Sequence, residues 1–549
     1  MDHFGVYTIA GRISLKSPPN GGGIGSHAPA KNKWAGIFMT AFSAFGGILF
    51  GYDTGVISGI KEMKEWLLIY GEEVPVAPAH PFGLALTSAH ESLVVSILSV
   101  GTFFGALLGA PVADILGRKW ILKGVVLACA VFSVGIIMQT VAEALALFVV
   151  GRVFAGLGVG LVSCLIPMYQ SECSPKWIRG AVVSTYQWAI TIGILLAAIV
   201  NNGTKDYAGY KSFQIPIAIQ FVWAGVLAAG MAFLPESPRW LIKKGNTKAA
   251  SRSLSRLTGL PENDPSVEAE LADIQANLDA ERALGESSYL DCFRFNHNKI
   301  GYRTLTGIFI QAWQQLTGIN FIFYYGTTFF QRAGIRNAFT ITIATGVINV
   351  FMTLPGMWGV EKFGRRKLLL VGATGMAICE FIVAIVGVTV AAENIAGQKV
   401  LIAFVCIYIA FFASTWGPVA WVITGEIFPL QVRAKAMSLS VASNWLWNFA
   451  IGYATPYLVN TGEGNAGLEV KVFFIWGSTC ACCLIFTYFC VPETKGLSLE
   501  QIDVMYQNIY PWQSTRYRRQ LLVEGDGSVD GHRGSPSDKE ELADSKVER

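Results

Sequence analysis

ECSPKWIRG at residues 172–180 is echoed by EIFPLQVRA at 426–434, and both read E-x-x-P-x-x-x-R. Two further pairs fall in the same order. DILGRKW (114–120) matches EKFGRRK (361–367), and PESPRWL (235–241) matches PETKGLS (492–498). Each pair is separated by roughly 250 residues, a spacing that marks an internal duplication. Between the motifs lie apolar blocks of about twenty residues, each long enough to cross a bilayer. There are twelve: 34–57, 89–112, 119–140, 143–166, 181–200, 213–234, 302–330, 338–360, 367–390, 400–423, 434–458 and 470–491. The expected fold is therefore an all-α polytopic membrane protein, twelve transmembrane helices in two six-helix halves.

Composition agrees. Of 549 residues 52% are hydrophobic and 15% charged, where a soluble chain carries about a quarter charged residues. The duplication predicts five segments: a cytoplasmic stretch 1–33, a bundle 34–234, a linker 235–300, a second bundle 301–491 and a cytoplasmic tail 492–549. Basic residues crowd the short loops that hold the repeated motifs, among them Arg118, Lys119, Arg179, Arg365, Arg366 and Arg433. Loop 58–88 of opposite parity is acidic. The positive-inside rule then places both termini in the cytoplasm. Residues 1–33 show no apolar core or cleavage site of a signal peptide. Linker residues 266–286 read as amphipathic helix, and the charged tail beyond about 515 as disordered. Most of the ten cysteines lie within spans, at spacings that point to no metal site and no disulfide framework. No nucleophile–base pair appears, so an enzyme is not expected; nor is a cofactor or a nucleic-acid partner.

Two similar bundles can rock about a midplane site and expose it to each side in turn. The repeated loops then read as a cytoplasmic lock in which acids and bases pair across the halves. Its members are Asp114, Arg118, Glu172, Arg179, Glu361, Arg365, Arg366, Glu426 and Arg433. Setting topology needs only positive charge; it does not need acids and prolines at fixed spacing.

GRVFAGLGVG (151–160), PMYQSECSPKWIRG (167–180), PESPRWL, QQLTGINFIFYY (314–325), GPVAW (417–421) and PETKG (492–496) together resemble the sugar porters of the major facilitator superfamily. Within these the chain is most similar to fungal monosaccharide (hexose) transporters, over about residues 34–510. Ile115 departs from the family, which has a second basic residue there. The resemblance implies hexose uptake at the plasma membrane, with a monosaccharide, protons and the lipid bilayer as partners. It leaves pentoses, polyols and a disaccharide open as substrates.

A sugar site needs amides, which both donate and accept, and an aromatic platform. The seventh span supplies Gln314, Gln315 and Asn320. On an unbroken helix Gln315 and Asn320 diverge by about 140°, so Gly318 between them is expected to interrupt the helix. Gln187, Asn349 and Asn448 add amides from the fifth, eighth and eleventh spans, and Trp421 and Trp445 add indoles. In the family these positions line the sugar pocket, with Phe50 as an apolar wall and Tyr324 and Tyr325 as an outer gate. Membrane amides also serve simply as glue between helices, at about 0.6 kcal/mol each; three within seven residues exceed that need.

Asp53 and Arg152 are charges inside the first and fourth spans. A carboxylate at mid-membrane costs about 2.5–3.5 kcal/mol on insertion scales, and the family places the two positions together. The reading is proton coupling, in which protonation of Asp53 breaks the pair. A facilitator that keeps a permanent salt bridge, and a non-transporting sugar receptor, stay open as alternatives.

Overall fold

The computed structural model describes residues 33–75, 82–115, 119–174, 178–283, 288–332, 338–390, 394–429, 431–462, 464–497 and 499–527. The first six spans are Phe45–Ile60 preceded by Lys33–Phe42, Ser88–Ile115, Lys119–Thr140, Leu145–Cys173, Arg179–Thr204, and Lys211–Ala218 continued by Gln220–Met231. The second six are Ile300–Leu316 with Ile319–Arg332, Ala338–Phe363, Arg365–Thr389, Ile395–Ser414 with Trp416–Glu426, Arg433–Val459, and Val472–Cys490. Among the described residues nine helices are long and apolar enough to cross a membrane by length and composition alone. The third span, Lys119–Thr140, contributes the shorter apolar stretch Gly124–Thr140 among the described residues. The seventh is broken into two pieces, and the eleventh carries Ser438, Ser440, Ser443, Asn444 and Asn448. The last two are spans whose polar side chains face the protein interior rather than lipid.

Within the first half the second and fourth spans pack closely, as do the first and fifth. Small residues permit the first of these contacts. A Cβ on Gly156 would stand 2.2 Å from the Leu98 carbonyl oxygen, and one on Gly160 2.3 Å from that of Thr102. Backbones this close gain dispersion contacts that lipid cannot offer. In the second half the seventh packs on the eleventh and the ninth on the twelfth. The halves meet where the second span packs on the eleventh and the fifth on the eighth. Those two contacts exchange with one another under the repeat.

The seventh span breaks as expected. Its inner piece ends at Leu316, its outer piece begins at Ile319, and Gly318 has φ +82°, a left-handed conformation that glycine adopts without a Cβ penalty. In the linker, helices Pro238–Lys243, Thr247–Thr258 and Pro265–Ala283 bury Leu241, Ile242, Leu254, Val267, Leu271 and Leu278 against one another. The tail departs from expectation. Ser514–Gly527 is helical rather than disordered. It is tied to the PETKG motif: the Glu493 N–H donates to the Ser514 hydroxyl at 2.8 Å, and Arg518 donates to the Lys495 carbonyl. The low hydrophobicity of 515–527 is offset by hydrogen bonds that local composition does not encode.

Candidate functional site

The seventh and eleventh spans build a ring of amides. Gln315 Oε1 accepts from Asn320 Nδ2 and, at 3.3 Å, from Asn448 Nδ2. Asn448 Oδ1 accepts from the Ser99 hydroxyl at 2.7 Å and the Tyr324 hydroxyl at 2.9 Å. The helix break is what lets Gln315 and Asn320 meet. Gln314 is engaged differently. Its Nε2 donates to the carbonyls of Trp416 (3.2 Å) and Gly417 (2.8 Å), where the tenth span is itself interrupted, and its Oε1 accepts from Asn444 at 2.8 Å. Asn444 also donates to Gln311 Oε1 at 2.7 Å, and Gln311 reaches the Thr424 hydroxyl. The sequence reading missed Gln311, Asn444 and Ser99. Asn444 stands one helical turn before Asn448 and Gln311 one turn before Gln315, a same-face spacing that would have found both.

Aromatic groups close the ring at the junction of the halves. Trp421 Nε1 donates to Gln187 Oε1 at 3.1 Å, and its ring meets Tyr186 edge-on at 5.2 Å. Trp445 Nε1 donates to the Ser163 hydroxyl at 3.1 Å, with Phe50 packed on its ring at 4.7 Å. Together with Ser99–Asn448, these hydrogen bonds cross from one half to the other in the middle of the membrane. Asn349 is buried on the eighth span, and neither of its amide atoms has a hydrogen-bond partner among the described residues.

Outward of the amides the Tyr325 hydroxyl donates to the Gly452 carbonyl at 2.6 Å. Lys61 lies 4.2 Å from the Tyr325 ring centroid and 2.5 Å from the Glu91 carboxylate. Thr328 donates to Glu62 and so ties the seventh span to the end of the first. Lys61 and Glu91 were not singled out in the sequence, and Glu62 counted only toward the acidity of loop 58–88, because charges at a span end read as ordinary loop residues. A cavity of about 790 Å³, lined by Glu91, Tyr325, Thr328, Phe329 and Asn460 among others, sits on the outer side of these contacts. Gln315 and Asn320 do not line it.

At the span ends that carry the repeated motifs, some contacts of the charged residues stay within one half and others cross between the halves. Arg365 pairs with Glu426 through Nη2–Oε1 at 2.7 Å and Nε–Oε2 at 3.2 Å, and both residues belong to the second half. Glu361 touches Arg365 at 3.5 Å and reaches across the halves by accepting the Ala181 N–H at 3.2 Å. Arg366 turns to the Tyr488 and Trp512 carbonyls. Arg433 donates from Nε and Nη2 to the Phe428 carbonyl at 3.2 and 3.1 Å and lies in the field of Glu172 and Arg179. Glu172 accepts from the Ser237 hydroxyl at 2.8 Å. Asp114 falls within the second-span helix, and Arg118 lies outside the described residues.

Asp53 and Arg152 face each other as expected, but loosely. The Nη1–Oδ1 distance is 3.9 Å and both side chains are 0% exposed. Neither Asp53 oxygen and none of the three guanidinium nitrogens has a hydrogen-bond partner among the described residues. Tyr324, already bonded to Asn448, lies within electrostatic range of both.

A broken seventh span, an amide ring at the junction of two six-helix bundles and closures on either side of it define a membrane carrier of the alternating-access type. The family described as "Sugar (and other) transporter" matches residues 39–506, and the chain belongs to it, within the major facilitator superfamily. It is a multi-pass membrane transporter and not an enzyme. It is 47% identical over 499 residues to a probable glucose transporter, rco-3, of Neurospora crassa, covering 90% of this chain and 82% of that one. It is 43% identical to the high glucose sensor RGT2 of Saccharomyces cerevisiae, covering 87% of this chain but only 62% of the sensor. Among solved structures it is similar to the proton:xylose symporter XylE of E. coli bound to 6-bromo-6-deoxy-D-glucose. The TM-score is 0.73 at 29% identity, over 86% of this chain and 99% of that one.

Proposed function

We propose that the chain carries a monosaccharide, glucose and related hexoses, across the plasma membrane together with a proton, with both termini in the cytoplasm. The bundles 34–234 and 301–491 rock against each other, and the linker 235–300 and tail 492–549 lie on the cytoplasmic side. Gln187, Gln315, Asn320, Asn349 and Asn448 bind the sugar hydroxyls. Trp421, Trp445 and Phe50 supply apolar faces, and Gln314 holds the tenth-span break beside them. When sugar enters, its hydroxyls replace the hydrogen bonds that the amides now make with one another. Tyr324 and Tyr325 close over it from outside.

One observation carries the proton half of this reading: a fully enclosed Asp53–Arg152 pair 3.9 Å apart with no completed hydrogen bond. A static salt bridge in a low-dielectric interior gains most by completing its hydrogen bonds. A pair that forgoes them is poised to separate. Protonation of Asp53 from outside removes the attraction to Arg152 and frees the first and fourth spans to move. Release of the proton inside restores the pair and resets the empty carrier. The likeness to a proton:xylose symporter supports this reading, and the likeness to a probable glucose transporter supports a hexose substrate.

The test is glucose accumulation in vesicles under an imposed inward proton gradient. Wild type is expected to concentrate glucose, and an uncoupler to collapse it to equilibrium. Asp53→Asn is expected to abolish accumulation while still exchanging labelled for unlabelled sugar, since exchange does not reset the empty carrier. Wild type that only equilibrates would make the chain a facilitator. Sugar binding without any flux would make it a receptor.

A further inference from the structure

Glu380 is a second carboxyl in the membrane, and the proposed transport cycle does not use it. It stands in the middle of the ninth span, 1% exposed. Neither of its oxygens has a hydrogen-bond partner among the described residues. Its polar neighbours are the Tyr408 hydroxyl of the tenth span and the Cys480 thiol of the twelfth. The titratable groups around it are Tyr408, Cys379 on its own helix, and Cys480 and Cys483 on the twelfth span. No basic residue is among them. The charged residues on the elements packed against the ninth span lie at its two ends: Glu361, Lys362 and Glu426 on the cytoplasmic side, Lys399, Glu469 and Lys471 on the outer side.

The two neighbours of Glu380 share one target. Tyr408 donates to the Thr317 carbonyl at 2.7 Å, and the Cys480 thiol points to the same oxygen at 3.9 Å. Thr479 donates to the Leu316 carbonyl at 2.6 Å. Leu316 and Thr317 are the last residues before the seventh-span break, where a helix end leaves carbonyls without intrahelical partners. Side chains of the tenth and twelfth spans therefore cap the inner half-helix, and Glu380 stands behind the cap.

Donor counting fixes the polarity of this arrangement. A tyrosine hydroxyl has one hydrogen, and Tyr408 spends it on Thr317. Its oxygen can then only accept. An ionised carboxylate also only accepts, so it can bond to Tyr408 solely by taking that hydrogen away from Thr317. A protonated carboxyl can donate to the Tyr408 oxygen and leave the cap intact. We propose that Glu380 is a positioning residue for the seventh-span break. Carrying its own proton, it holds Tyr408 on the Thr317 carbonyl; losing that proton, it draws Tyr408 off and loosens the hinge on which Asn320, Tyr324 and Tyr325 swing. The functional weight of that hinge rests on the transport reading above; the hydrogen-bond relay does not.

The experiment reads hydrogen–deuterium exchange of backbone amides in residues 313–325. It uses the full chain in lipid nanodiscs, without sugar or gradient, at several pH values between about 6 and 9, with rates corrected for intrinsic exchange. Tyr408→Phe removes the cap and is expected to exchange roughly tenfold faster at every pH, the loss of one buried hydrogen bond. Wild type is expected to be protected at low pH and to approach the Tyr408→Phe rate as pH rises. Glu380→Gln, whose amide donates but does not ionise, is expected to stay protected throughout. Asp53→Asn is expected to keep the pH response of the window whatever its absolute rate, which separates this hinge from the first-span pair. A corrected wild-type rate that is flat with pH, or a pH response that survives in Glu380→Gln, overturns the proposal. If Glu380→Gln does not fold, the wild-type profile against Tyr408→Phe still decides. Sugar uptake that proves uncoupled from protons leaves the proposal standing.

Discussion

Arg365 and Arg152 are both enclosed arginines facing a carboxylate, one in each half, and their surroundings are opposite. Arg365 lays two N–H donors on Glu426, gives another to the Val360 carbonyl at 3.1 Å, and rests its backbone N–H on Glu493 at 3.0 Å. Thr494 adds a hydroxyl to Glu426 at 2.7 Å. Arg152 faces Asp53 at 3.9 Å, with no guanidinium nitrogen hydrogen-bonded among the described residues. The ionic groups are the same in kind. What differs is how far their hydrogen bonds are completed, and that decides whether a pair clamps or switches. The Arg365 cluster knits the ninth span to the tenth and to the tail, and through Glu361 it touches the first half at the Ala181 N–H. Asp53 and Arg152 join two helices of the other half by attraction alone.

Substitution separates the two pairs. Arg365→Ala leaves Glu426 buried against a neutral neighbour, a loss of about 3–5 kcal/mol for a broken buried pair. A clear fall in the thermal unfolding midpoint of the purified protein is expected. Arg152→Ala is expected to cost less, because Asp53 can become neutral without surrendering a hydrogen bond. Equal losses at the two sites would break the comparison. The lysine variants sharpen it: Arg365→Lys forfeits the two-pronged contact, whereas at Arg152 there is none to forfeit.

The amide ring is expected to answer in affinity rather than stability. Gln315→Ala removes a proposed sugar contact and leaves the sugar hydroxyls that would meet it without a partner in the closed pocket. Unpaired partners cost about 1–3 kcal/mol, a rise in the glucose dissociation constant of roughly 10- to 100-fold. Equilibrium binding of labelled glucose reads it, and unchanged affinity at equal folding would remove Gln315 from the site.

The smallest effect belongs to Arg433, whose guanidinium caps the Phe428 carbonyl and has Glu172 in its field across the halves. Arg433→Ala is expected to shift the balance toward the inward-facing form by about 1 kcal/mol. A cysteine at Ser96, buried against Gly452 behind Tyr325, would then react several-fold more slowly with a reagent added outside. An unchanged rate would reduce Arg433 to a determinant of topology.

The break at Gly318 was legible because two amides five residues apart could not share a cavity on a continuous helix. Asn448 was legible because an amide in a span is conspicuous. The role of Gln314 was not. It looks like its neighbour Gln315 in sequence, yet it faces the tenth-span break, and a rotation of about 100° per residue separates their faces. The lock motifs were legible as charged loops, but their partners were not. E-x-x-P-x-x-x-R recurs in both halves, while Glu426 binds Arg365 of its own half and Glu172 binds Ser237. Glu380 escaped notice: it belongs to no repeated motif, and its polar neighbours Tyr408 and Cys480 come from other spans.

The sequence by itself determined the number of spans, their grouping in two halves, the break in the seventh and the two charges inside the first and fourth. Hydrocarbon requires apolar helices long enough to cross it and penalises every polar group it encloses, so these features leave their mark in composition and spacing alone. Only the tertiary structure decided which polar groups complete their hydrogen bonds and which are left without them. That depends on how neighbouring helices are rotated and staggered by a few ångströms, a distance that makes or loses a hydrogen bond and that no single helix records in its own sequence.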